Sequence, residues 1–200
     1  MPFNPPLDSP FHLNTQSSKL AWLLIGFTVL LTVVILNLQG RVWWCIAGDK
    51  LPWSWDIWSA HNSQHAIDPY SFTHVLHGIL EFWILGLLFP RIPLIWRLCL
   101  ALFVESAWEI VENSSYVIER YREETISLNY FGDSIVNSIS DIVCCGIGFV
   151  LAWRLRFWRS LALFVLTELT LILWIHDSLL INIIMLIWPV EAIRQWQMGR

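Results

Sequence analysis

Two hundred residues with 56% hydrophobic and only 14% charged side chains, at a mean hydropathy of +0.56, lie outside the range of soluble domains, which carry about 25% charge. A formal charge of -4 supplies no basic stripe to neutralise phosphates, which excludes nucleic-acid binding. The cysteines Cys45, Cys99, Cys144 and Cys145 show no paired metal-ligand spacing and no disulfide framework.

Residues 1–18, rich in Pro, Asn and Ser, read as a short disordered tail, and residues 19–200 as a single transmembrane domain. The first apolar run, 20 to about 38, exceeds the core of a secretory signal and is not followed by an A-x-A-like cleavage site, so it is expected to stay as an anchor. The polar stretch from about 40 to 70 crowds Trp43, Trp44, Trp53, Trp55 and Trp58 into one loop, as expected where indole rings settle at a membrane boundary. A second run covers about 71–89 and stops at Pro90-Arg91-Ile92-Pro93, because proline cannot donate to the helical ladder. A third reaches from 94 to about 113.

A second polar connection, 114–132, leads into a fourth run from about 133 to 153. After the basic stretch Arg154-Leu155-Arg156-Phe157-Trp158-Arg159, a fifth apolar region extends over 160–188. It is too long for one simple span and contains Ile175-His176-Asp177-Ser178, which favours a helix followed by a short re-entrant or interfacial segment. The expected fold is therefore all-α, a polytopic transmembrane helix bundle in a lipid bilayer with about five spans and two outer-face loops. Lys19, Arg91, Arg97, Arg154, Arg156 and Arg159 fall on the cytoplasmic side if the N-terminus is inside, against Arg41, Lys50, Arg120 and Arg122 outside.

Ionisable groups within apolar spans are costly when unpaired, so each is a functional candidate with a partner to be found. His74, His77 and Glu81 share one face of the second span, Glu105, Glu109 and Glu112 one face of the third, and Asp133, Asn137 and Asp141 one face of the fourth. Counting from the outer ends predicts three layers. His74, Glu112 and Asp133 form the entrance, where solvated helix ends are an equal reading. His77, Glu109 and Asn137 lie a turn deeper, and Glu81, Glu105 and Asp141 deepest. One outward-opening polar cavity is expected.

In the first loop, His61 and His65 sit at i, i+4 and are either plain surface or a metal-binding pair. In the second, Arg120 and Arg122 belong to a solvated charged turn or clamp a phosphate or carboxylate at the cavity mouth. Gly132, Ser134, Ser138, Ser140, Gly146 and Gly148 are expected to let the fourth span approach its neighbours closely. Glu168, His176 and Asp177 are membrane-depth ionisables without a settled place.

The stretches Asn62-Ser63-Gln64-His65, Thr73-His74-Val75-Leu76-His77-Gly78, Trp108-Glu109-Ile110-Val111-Glu112-Asn113-Ser114, Arg120-Tyr121-Arg122-Glu123 and Tyr130-Phe131-Gly132-Asp133-Ser134 carry a resemblance. Over about 40–149 the chain resembles an uncharacterised family of bacterial multi-pass membrane proteins. More distantly, the order of an early His, a mid-chain Glu, then Arg and an Asp-rich helix entry is similar to VanZ-like membrane proteins. The resemblance implies a bacterial cell (inner) membrane location and no assigned activity.

Two functional classes follow. In the first, His74 and His77 with Glu109 and Asp141 bind a divalent metal, Glu112 is the general base, and a lipid-linked or envelope-derived substrate is hydrolysed. Glu109, Glu112 and Asp141 are then the catalytic set, and Glu81, Glu105, Asp133, Asn137, Arg120 and Arg122 the binding set; the same carboxylates also suit metal-free acid–base work. In the second class the ladder is a ligand site or a proton or ion path, although no inverted repeat supports a transporter. A scaffold whose polar layers only fix helix register is the third reading.

Overall fold

The computed structural model describes residues 15–125 and 130–199. The elements are all helices: α1 (Thr15–Leu38), α2 (Ser71–Leu88), α3 (Leu94–Glu112), α4 (Ser115–Glu124), α5 (Ile135–Ile175), α6 (Leu179–Ile187) and α7 (Glu191–Met198). Among the described residues, β pairing is limited to an isolated bridge between Trp53 and Ile67. Among the described residues three helices, α1, α2 and α5, are long and apolar enough to cross a membrane. The expected tail lies outside the described residues as far as position 14, and positions 15–18 form the first turn of α1.

Local chemistry accounts for the boundaries. Pro90 and Pro93 separate α2 from α3, with Pro93 at the N-cap of α3, where its missing N–H costs nothing. Ser114, Ser134 and Ser178 cap α4, α5 and α6 by accepting from the backbone N–H of Val117, Asn137 and Ile181. α3 has the length of a span but carries Arg97, Glu105, Glu109 and Glu112, and it turns the first three of these inward.

The 41 residues of α5 do not form one rod. Arg156 sits at φ 63°, ψ 177°, outside helical space. Phe82 of α2 packs on Phe149, 5.2 Å between ring centres, while Phe72 of α2 packs on Trp174 at 6.4 Å. On a straight helix positions 149 and 174 would be about 37 Å apart, against about 15 Å between positions 72 and 82. The chain therefore reverses at Arg156, and the two arms of α5, 135–155 and 157–175, both pack along α2. Trp83 marks the start of the second arm, donating to Ser160 Oγ at 3.2 Å and stacking on Phe157 and Phe164.

The core joins Leu76, Ile79 and Phe82 of α2 with Ile95, Leu98 and Leu102 of α3 and Ile142, Cys145 and Phe149 of α5. α1 covers α3 on the outside and exposes Leu23, Phe27, Leu30 and Leu38, an apolar surface suited to lipid.

The apolar region after Trp158 is broken, as favoured from sequence. The second arm ends at His176 in a left-handed conformation, and α6 begins three residues later. Glu168 reaches from that arm to accept from the backbone N–H of Leu179 (3.0 Å) and Leu180 (3.3 Å). It therefore satisfies the open start of α6. The second polar connection contains a helix, α4, where a charged loop was expected. Val117, Ile118 and Tyr121 are buried with Tyr130, because their i, i+1, i+4 spacing forms an apolar stripe between the charges.

Candidate functional site

α2, α3 and the first arm of α5 present their ionisable faces to one another. Nδ1 of His74 is bonded to Glu105, and its ring also lies 3.5 Å from Glu109 and 3.8 Å from Asp141. Nδ1 of His77 is 3.0 Å from the same Glu105 carboxylate, and the two imidazoles meet edge to face at 5.0 Å. Glu105 is thus held between two histidines one turn apart on α2. Deeper, Glu81 accepts from Cys145 Sγ at 3.1 Å.

Donor atoms of His74, His77 and Glu105 lie within 4.8 Å of one another, as do those of His74, Glu109 and Glu112, and those of Glu81, Glu105 and Cys145. Ligand bonds of about 2.0–2.2 Å to one small ion span at most about 4.4 Å, so the widest-spaced donors would draw slightly together around it. Glu109 is fully buried, and neither of its carboxylate oxygens has a hydrogen-bond partner among the described residues; Asp141 Oδ1 is in the same condition. The ion pairs of the cluster all run to histidine. Buried carboxylates this close need a shared proton or a bound cation.

A pocket with about 630 Å³ of space, including its open mouth, adjoins the cluster. Its lining includes His74, His77, Glu112, Asp133 and Asp141, the phenols of Tyr121 and Tyr130, and the apolar Leu179, Ile183 and Leu186 of α6. Burial, then the charge of Glu112 for Tyr121 and of Asp133 for Tyr130, pushes both phenols well above the ordinary range. They face the pocket as neutral hydroxyls.

The expected layering is corrected. His74, assigned to the entrance, meets Glu105 and Asp141, assigned to the deepest layer. His74 is the fourth residue of α2, whereas Asp141 is the seventh of α5 and Glu105 stands seven before the end of α3. The end of α3 and the start of α5 therefore extend beyond the start of α2 by about 5 Å.

The other candidates take varied positions. Asp133 is clamped by Asn113, which donates to its carboxylate and accepts its backbone N–H, both at 2.7 Å, while Tyr130 donates at 2.9 Å. Asn137 donates to the His65 carbonyl at 2.8 Å. Arg120 donates to the Leu186 carbonyl at 3.1 Å, and Arg122 donates to the Tyr130 carbonyl with its guanidinium 4.8 Å over Phe131. Neither arginine lines the pocket. His61 and His65 group with Cys45, away from the α2 histidines.

Sequence reasoning missed Asp68. Its carboxylate accepts from the backbone N–H of Tyr70 (2.7 Å) and Ser71 (3.0 Å), closing the turn into α2. Burial pushes its carboxyl up to about 6; the Ser71 N–H pulls it down, Asp133 pushes up, and His74 and the Tyr70 N–H pull down. The Asp-Pro pair immediately before a helix start was the signal available.

A helical chain with three helices long and apolar enough to cross a membrane, and a buried histidine–carboxylate cluster between α2, α3 and α5, defines a class: a membrane protein with a buried polar site. The chain belongs to the family described as Protein of unknown function (DUF2585), whose model matches residues 36–199. It is 44% identical to a UPF0314 protein of Paracoccus denitrificans over 94% of this chain and 97% of that one. It is 43% identical to one of Rhizobium meliloti (93% and 95%) and 41% to one of Sphingopyxis alaskensis (91% and 97%). These relatives are bacterial, and the apolar helices suit a lipid bilayer. The distant likeness to VanZ-like proteins finds no support in these matches. No solved structure matches the chain.

Proposed function

We propose that this protein is a multi-pass enzyme of the bacterial inner membrane that binds a divalent metal ion and hydrolyses a lipid-linked or envelope-derived substrate. α1, α2, α3 and the two arms of α5 are its five spans, the N-terminus is cytoplasmic, and the pocket opens to the outer face. The observation that carries this reading is the convergence of His74, His77 and Glu105 within 4.8 Å, backed by Glu109 with both oxygens lacking hydrogen-bond partners. Two imidazoles and a carboxylate are a donor set suited to a borderline ion such as zinc.

An ion there supplies Lewis-acid polarisation of a carbonyl or phosphoryl oxygen. Glu105 contacts Nδ1 of both imidazoles, which keeps the three donors together. Glu112, at the pocket wall, is placed to take a proton from a water arriving through the mouth. The apolar residues of α6 beside the polar lining suit a substrate with a polar head and an acyl or prenyl body.

The test is elemental mass spectrometry of the detergent-purified protein, comparing wild type with His77→Ala and Glu105→Gln. Loss of about one equivalent of metal in both variants is expected. A folded wild type without metal in this site would overturn the metal-dependent reading and leave the ladder as a proton or ligand site.

A further inference from the structure

The Trp-rich first loop holds a second group of ligating side chains. Cys45 Sγ lies 3.2 Å from His61 Nδ1, and His61 Nδ1 lies 3.2 Å from His65 Nε2. The three donor atoms fall within 4.8 Å of one another, with Cys45 and His65 buried and His61 half-buried. We propose that Cys45, His61 and His65 form a separate thiolate–imidazole site for a zinc-class ion, independent of the cluster between α2, α3 and α5.

Two features beyond proximity point to a ligand. First, Nδ1 of His65 is bonded to the Leu51 carbonyl. A backbone acceptor on one ring nitrogen fixes the tautomer that leaves the other, Nε2, as a lone pair facing Cys45 and His61, which is how ligand histidines are oriented. The edge of Trp44 against the His65 ring, 5.6 Å between centres, holds that orientation.

Second, the chain is bent to make the convergence. Ser63 adopts φ 57°, a left-handed conformation uncommon outside glycine, so the i, i+4 imidazoles meet without a helix beneath them. That bend is pinned by long-range bonds. Ser134 N–H donates to the Ser63 carbonyl at 2.9 Å, Gln64 Nε2 to the Gly132 carbonyl at 2.8 Å, and Ser134 Oγ to the Gln64 carbonyl at 3.1 Å. The loop is therefore tied to the start of α5, a preorganisation that a plain surface loop does not need.

The donor set selects the ion class. A thiolate with two imidazoles favours zinc or copper over magnesium or calcium, which prefer oxygen. Three protein ligands leave one tetrahedral position for water or an exogenous donor.

The test uses the full-length protein in detergent, stripped with chelator and titrated with cobalt(II). The expected result is a saturable thiolate-to-cobalt charge-transfer band that is abolished by zinc. The band should vanish in Cys45→Ser. In His61→Ala, binding should weaken by at least the roughly 10- to 100-fold that losing even an outer-shell partner costs. The band should persist in Cys145→Ser and His77→Ala, so it is distinguishable from any ion at the helical cluster. A second readout needs no variant: the alkylation rate of Cys45 in wild type should fall with zinc and recover with chelator. No thiolate band, a band surviving Cys45→Ser, or an alkylation rate indifferent to zinc would reduce the group to a hydrogen-bonded loop and overturn the proposal.

Discussion

Gly78 of α2 faces the backbone carbonyl of Cys145 in α5, and a Cβ at position 78 would lie 1.9 Å from that oxygen. Gly148 of α5 faces the Val75 carbonyl of α2 at the same distance. The helices meet backbone to backbone, and this contact holds His74 against Asp141 across them. Gly78→Ala and Gly148→Ala are each expected to lower stability by about 1–3 kcal/mol or more, the cost of overpacking where no side chain can yield. Gly26→Ala, where a Cβ meets nothing within 4 Å, should gain about 0.5–1 kcal/mol from lost helix entropy. Thermal unfolding in detergent checks all three, and equal shifts would refute the contact.

Glu109 lies among carboxylates, and neither of its oxygens has a hydrogen-bond partner among the described residues, an arrangement that burdens the metal-free fold. Glu109→Gln should therefore unfold at the same or a higher temperature than wild type in chelator. With zinc at 100 times its Kd, wild type should gain about 2.7 kcal/mol. The variant should gain much less. Equal zinc responses in the two proteins would remove Glu109 from the site.

Asp68 has a pH signature. Its carboxyl is pushed up from 3.8 to about 6 by burial, so the folded state holds its proton more tightly than the unfolded chain. The resulting stability is complete below the unfolded value and is lost as pH rises through the folded one. The unfolding temperature of wild type minus that of Asp68→Asn should fall between about pH 4 and pH 6. Asparagine keeps the oxygen that accepts from Tyr70 and Ser71. A flat difference across that window would show that Asp68 keeps its ordinary pKa.

Arg156 turns α5 back on itself at φ 63°, ψ 177°, a region costing of order 1–3 kcal/mol for a residue other than glycine. Arg156→Gly should raise the unfolding temperature, whereas Arg156→Ala should not, because alanine keeps the Cβ. If both variants behave alike, the effect belongs to the guanidinium and not to the backbone.

What the sequence determined by itself is what depends on neighbours along the chain. The apolar run lengths placed the chain in a membrane, Pro90 and Pro93 parted α2 from α3, and His176-Asp177-Ser178 marked the break before α6. Helical periodicity put His74 with His77, and Glu105 with Glu109, on single faces, because residues three and four apart share a face in any α-helix. Tertiary structure decided what depends on offsets between elements. His74 meets Glu105 because the helix ends are staggered and Gly78 and Gly148 let α2 and α5 lock at one register. Cys45 joins His61 and His65 only because a left-handed Ser63 and the bonds to Gly132 and Ser134 fold the loop. Arg120 and Arg122 hold backbone carbonyls, and Glu168 caps α6, through contacts far apart in sequence. Periodicity follows from the geometry of one backbone; register between helices follows from the packing of several, and no single segment carries it.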